Sequence, residues 1–161
     1  MKYDPQIHDR RSIRLAGYDY SQAGAYFITI CTHNRDLSLQ TERVQEAVRF
    51  AWHAQPTRFP TIALDEFTIM PNHIYGIIIL GNAESRDAAS SVPTLGKVVR
   101  AFKSISAIEA NKTLDRSGQP FWQRGYYEHI IRDDDDLNRI RRYIRDNALN
   151  WQSDPDNPLN L

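Results

Sequence analysis

One cysteine in a chain of 161 residues leaves Cys31 no internal partner, so no disulfide can stand in for a hydrophobic core. Its neighbours Thr29, Ile30 and Thr32 are strand formers, and a small buried side chain is the expectation. Net charge is also missing, because 20 Lys and Arg balance 20 Asp and Glu. Any grip on nucleic acid must therefore come from uneven placement of charge. Long apolar runs are absent too. The longest, Ile74–Leu80, is far too short to span a bilayer, and the opening MKYDPQIHDRRS has no apolar leader core. The expectation is a cytoplasmic protein with no membrane contact. What is present is ordinary: 41% apolar and 25% charged residues suit a single folded domain over 1–161 and exclude wholesale disorder or a coiled-coil rod.

Residues 1–24 read as an irregular basic arm. AYFITICTHN, dense in β-branched and aromatic residues, predicts a first strand. Thr41 and Glu42 open a helix whose apolar positions are Val44, Ala47, Val48, Ala51 and Trp52, closed by Pro56 and Pro60. TIALDEFTIMP and HIYGIIIL are two strands joined by a Pro71-Asn72 turn. Residues 81–93 are small and polar, a flexible linker. Thr94 caps a second helix with Leu95, Val98, Val99, Phe102 and Ile105 on one face and Lys97, Arg100 and Lys103 on the other. FWQRGYYEHIIR predicts a fourth strand, DDDDLNRIRRYIRDNALNW a third helix with an acidic first turn, and 152–161 a tail. The order β-α-β-β-α-β-α, without repeats, predicts an α+β fold: a ferredoxin-like, RRM-like antiparallel four-stranded sheet with helices mainly on one face.

Two patterns carry possible chemistry. On the third helix Leu137, Ile140, Ile144, Ala148 and Trp151 form the apolar stripe, and Asp136, Tyr143 and Asn147 lie along one flank. Tyr143 and Asn147, four apart, are neighbours, though a rim tyrosine and a solvated amide would give the same spacing. On the third strand His73 and Tyr75, two apart, project from the same face. A lone histidine at a strand end is more often a hydrogen-bonded structural residue than a ligand.

Resemblance adds to this. The segments RRSIRLAGYDYSQAGAYFITICTHNR, MPNHIYGIIIL, LGKVVRAFKS and GQPFWQRGYYEHIIRDDDDLNRIRRYIRDN together resemble the REP-associated tyrosine transposases, a branch of the single-tyrosine HUH transposases that act on single-stranded DNA. The likeness runs in order from about Arg10 to Trp151. It implies a ferredoxin-like fold and a divalent ion, Mg²⁺ or Mn²⁺, held by two histidines of a His-hydrophobic-His strand and a polar residue on the last helix. It further implies a tyrosine nucleophile one helical turn before that polar residue. Carried onto this chain, His73 is the first ligand, Asn147 the helix ligand and Tyr143 the nucleophile, while Tyr75 stands where the second histidine belongs.

The chemistry explains those residue types. A phenol, with a pKa of about 10, needs help to attack phosphorus, and an ion on the scissile phosphate supplies it. Attack gives a 5'-phosphotyrosine and a free 3'-hydroxyl that can later reverse the reaction. Tyr75 weakens the ion's seat, because a neutral phenol is a poor ligand for Mg²⁺ or Mn²⁺. Three outcomes stay open: a looser site completed by Tyr75 or water, substitution by His129 or Asp136, or DNA binding without cleavage. An RNA-binding module on the same topology is disfavoured because neither AYFITICTHN nor HIYGIIIL carries an RNP-type aromatic signature.

Candidate phosphate contacts are Arg10, Arg11 and Arg14 in the arm, Lys97, Arg100 and Lys103 on the second helix, and Arg141, Arg142 and Arg145 on the third, each cluster being equally well read as a solvated face. Trp122, Tyr126 and Tyr127 are candidates for base stacking, with core packing the stronger expectation for most of them. The expected partner is single-stranded or hairpin DNA. The resemblance leaves both a monomer and a homodimer with an exchanged tyrosine helix open.

Overall fold

The computed structural model describes residues 24–81 and 93–153; the basic arm, most of the linker and most of the tail lie outside them. Its main elements are β1 (Gly24–Cys31), α1 (Glu42–His53), β2 (Ile62–Met70), β3 (His73–Leu80), α2 (Leu95–Thr113), β4 (Tyr127–Ile131) and α3 (Asp134–Leu149). The strands form one antiparallel sheet in the order β2-β3-β1-β4. This is the expected β-α-β-β-α-β-α arrangement.

Alternation along the central strands divides the interior in two. Tyr26, Ile28 and Ile30 of β1 and Ile74, Ile78 and Leu80 of β3 face α1 and α2 in the larger core, with Trp52 and Phe102. Phe27 of β1 and Tyr75 and Ile77 of β3 point the other way, onto Ile140, Tyr143 and Ile144 of α3. Two helices thus share one face, as expected, and α3 covers the opposite face. Each of these fully buried aliphatic or aromatic side chains contributes about 1.5–3 kcal/mol over an exposed one. Gly76 fits this scheme because the Trp52 indole lies against it: a Cβ there would stand 2.4 Å from Trp52 Cη2.

Local chemistry sets the ends of the elements. Thr94 Oγ1 accepts a bond from Lys97 N at 3.2 Å, and Asp133 Oδ1 accepts one from Asp136 N at 2.7 Å, each satisfying an amide that the helix leaves unpaired. Three further aspartates in the first turn of α3 suit the positive end of its dipole. Three expectations need correction. Pro56 does not end helical structure: Gln55–Arg58 forms a further helical turn, where a proline in the first turn costs no hydrogen bond. The fourth strand is also shorter than expected. Phe121 and Trp122 are buried, but in an irregular segment whose one ladder contact is the bridge from Trp122 to Thr32, and Gly125 with φ +85° turns the chain into β4. Cys31 is only half-buried. Among the described residues, no helix is long and apolar enough to cross a membrane.

Candidate active site

The β2–β3 turn is fastened before the site begins. Thr32 N donates to Asn72 O at 2.9 Å, and Leu39 N donates to Pro71 O at 3.0 Å. His73 therefore enters β3 opposite Cys31 in a fixed register. Its ring is fully buried, and its Nδ1 lies 2.6 Å from Asn72 Oδ1. With the amide oxygen accepting, the proton sits on Nδ1 and Nε2 is the acceptor nitrogen.

Around His73 the α3 face of the sheet is aromatic. Tyr75 meets the imidazole edge to face, centroids 4.6 Å apart, and stacks on Phe27 at 5.7 Å. Tyr143 reaches down from α3 with ring centroids 5.5 Å from Tyr75 and 6.1 Å from Phe27. The Tyr75 and Tyr143 hydroxyl oxygens are 3.4 Å apart. That is longer than the usual phenolic bond, a contact that places one hydroxyl beside the other without strongly binding it. Trp151, in the turn after α3, closes the group at 5.9 Å from His73. The structure thus brings His73, Tyr75 and Tyr143 together within one chain. Tyr143 is 3% exposed, part of the core rather than a helix rim.

Asn147 is the partial exception. It sits half-buried one turn beyond Tyr143, but its amide nitrogen donates to Tyr143 O at 2.8 Å, turning the side chain onto its own helix. His129 and Asp136 are not brought to His73 at all. They bind each other, Nε2 to Oδ2 at 3.0 Å, and Asp136 also receives Arg139 and the Arg132 amide at 3.3 Å. Burial would raise the Asp136 pKa, but these bonds from Arg139 and His129 outweigh it and hold the carboxyl below its ordinary range. The pair ties β4 to the start of α3. Asn72, Phe27 and Trp151 were missed from sequence. The signal for Asn72 was its place directly before the histidine in MPNH.

The donor set can be tested against the expected ion. Mg²⁺ and Mn²⁺ favour oxygen ligands, carboxylates above all, in near-octahedral array. Here the candidates are one imidazole, one neutral phenol and one amide already engaged with its own helix. Among the described residues, no group of three His, Cys, Asp or Glu side chains could hold a metal ion. These residues do not fit a resident Mg²⁺ or Mn²⁺ ion.

The cations separate into two kinds. Arg141 forks onto both oxygens of Asp65, 2.8 and 2.6 Å, and Arg145 binds Glu66, so both clamp α3 to the edge of β2. The bond from Arg141 holds the Asp65 carboxyl below its usual value of 3.8, against the opposing effect of burial. Lys103 is also committed, donating to Gln123 O at 2.7 Å and Gly125 O at 2.9 Å. Lys97, Arg100 and Arg142 remain exposed, as does Arg124, which the sequence reading passed over. Arg10, Arg11 and Arg14 lie outside the described residues. Trp122 is a core residue whose indole N–H donates to Ser106 Oγ at 2.9 Å.

Comparison with known proteins gives the family of the chain. Residues 21–147 match the family model described as "Transposase IS200 like". An uncharacterized protein of Haemophilus influenzae strain Rd is 38% identical, over 95% of this chain and 96% of that one. A protein of the same strain bearing the name REP-associated tyrosine transposase is 30% identical, over 81% of this chain and 73% of its own length. Among solved structures, a REP-associated tyrosine transposase bound to a REP hairpin superimposes with a TM-score of 0.63, at 18% identity, over 86% of this chain and 74% of that one.

Proposed function

This chain belongs to the IS200-like transposases, and on that premise we propose that it binds single-stranded or hairpin DNA and cuts and rejoins it through Tyr143. The observation that carries the reading is the convergence of Tyr143 with His73 and Tyr75 on the α3 face, the two phenolic oxygens 3.4 Å apart. In the step we propose, Tyr143 Oη bonds to phosphorus as the bond to the 3' oxygen breaks. The phenolic proton passes by way of solvent to that leaving oxygen. A 5'-phosphotyrosine and a 3'-hydroxyl result, and the same groups run the step backwards with another strand end. The ester conserves the energy of the broken bond, so rejoining needs no outside source. In this reading α3 presents the nucleophile at a fixed height above the sheet, held by Arg141 on Asp65 and by the His129–Asp136 pair. Any Mg²⁺ or Mn²⁺ is held weakly, given the donor set.

That donor set favours a second reading: a DNA-binding protein on the same scaffold whose cutting is impaired because Tyr75 has replaced an imidazole. Incubation with labelled DNA hairpins in Mn²⁺ or Mg²⁺, followed by denaturing electrophoresis, separates the two. A covalent protein–DNA band that Tyr143→Phe abolishes supports cleavage, whereas reversible binding without such a band supports the second reading.

A further inference from the structure

A net charge of zero conceals an uneven surface. From Leu95 to Ile108, α2 carries Lys97, Arg100 and Lys103 and no acid; from Arg116 to Tyr127 the following segment carries no acid, and of its two cations Arg116 is paired with Asp36 while Arg124 is not. Several other cations are offset by carboxylates: Arg139, Arg141 and Arg145 are paired, and α1 mixes Arg43 and Arg49 with Glu42 and Glu46. Lys97, Arg100 and Arg124 are exposed, and among the described residues no ion pair holds any of them. Glu128, the first acid after the segment, is buried.

The two cationic stretches are fastened together. Lys103 donates to Gln123 O and Gly125 O, the carbonyls on either side of Arg124, and so fixes the Arg124 loop against α2. Burial lowers the Lys103 pKa, yet the side chain stays there, satisfied by two carbonyls. Trp122 Nε1 donating to Ser106 Oγ makes a second fastening one helical turn along. The Arg124 end is joined to the strand that carries His73 through the backbone of β1. Gln123 N donates to Cys31 O at 2.8 Å, and Cys31 pairs with His73 across the β1–β3 ladder. From there the cations run back along α2, Lys97 lying about 9 Å along the axis from Lys103.

We propose that Arg124, Arg100 and Lys97 form a sequence-independent phosphate track that leads a DNA strand around the β4 edge to the Tyr143 site. The proposal rests on the reading that this chain binds DNA and names the surface that does it. Phosphate contact of this kind fixes the path of a strand and carries no sequence information.

The test measures fluorescence anisotropy of labelled oligo-deoxythymidine and of a labelled DNA hairpin with a single-stranded flank, over a range of KCl. It compares wild type, the triple variant Lys97→Gln/Arg100→Gln/Arg124→Gln, and a control, Arg43→Gln/Arg58→Gln, exposed cations of the α1 region outside the track. At about 0.7 per contact on a single strand, the triple variant is expected to flatten the slope of log affinity against log salt by about 2, with its melting temperature unchanged. The control should keep the wild-type slope. A triple variant with wild-type slope and affinity overturns the track, as does a control that loses as much. If wild type binds neither probe at any salt, the DNA-binding reading itself falls, a different outcome from binding that the triple variant leaves intact.

Discussion

Replacing Gly76 with alanine adds one methyl group at the point where β3 and α1 come closest. The new Cβ would lie 2.4 Å from Trp52 Cη2 and 2.7 Å from Cζ2, where ordinary contact begins at 3.4 Å, so the indole has to retreat by about 1 Å. It has little room. Trp52 is fully buried, stacked on Phe67 at 4.5 Å and edge-on to Phe102 at 5.5 Å. The strand cannot give way either, because Gly76 is paired with Ile28 on one side and Phe67 on the other. Overpacking of this kind costs about 1–3 kcal/mol, and two rigid walls put this case near 3. For a chain of this size that is a fall in melting temperature of about 6–12 °C. Urea unfolding followed by circular dichroism measures it. The double variant Gly76→Ala/Trp52→Phe should be less destabilised than the sum of its single changes, because the smaller ring vacates the space. A Gly76→Ala protein within about 0.5 kcal/mol of wild type would refute this account of the packing under Tyr75.

Three more outcomes are expected. Because Arg141 lowers the Asp65 pKa below its ordinary 3.8, the ionised carboxyl stabilises the fold above that range and the contribution is lost as pH falls through it. Urea unfolding of wild type and Arg141→Gln should differ by about 1–2 kcal/mol at neutral pH and converge in acid; a pH-independent gap would contradict the assignment. Ser106→Ala removes the acceptor of the buried Trp122 indole N–H and should cost about 1–3 kcal/mol by the same assay. Tyr75→His, which rebuilds an imidazole pair with His73, should tighten Mn²⁺ binding at least about tenfold by electron paramagnetic resonance titration; equal affinities would show that Tyr75 is not what weakens the ion's seat.

The sheet was legible because period-two alternation and the Pro71-Asn72 turn are local signals, and α2 and α3 because Thr94 and the aspartate run announce their starts. The irregular path of Phe121 and Trp122 was not, since aromatic residues buried in a loop look the same in sequence as those of a strand. For the site, spacing placed His73 with Tyr75 and Tyr143 with Asn147, and the resemblance joined the two pairs. What no spacing reveals is commitment. Arg141, Arg145 and Lys103 looked like surface cations, and only the fold brings Asp65, Glu66 and the carbonyls of Gln123 and Gly125, up to 79 residues away, within reach of them. Asp136, on the same flank as Tyr143, is likewise taken by His129, a residue of another element.

The most direct test of strand cleavage is to find the bond itself. Wild type and Tyr75→His would be incubated with a DNA hairpin carrying a single-stranded flank, in Mn²⁺, then digested with trypsin and nuclease and examined by mass spectrometry. The account predicts, in wild type, a nucleotide joined through its 5' phosphate to the peptide that contains Tyr143. A nucleotide on another residue, or one on Tyr143 only after Tyr75→His, would contradict it, and the second result would make the natural chain a DNA binder that has ceased to cut.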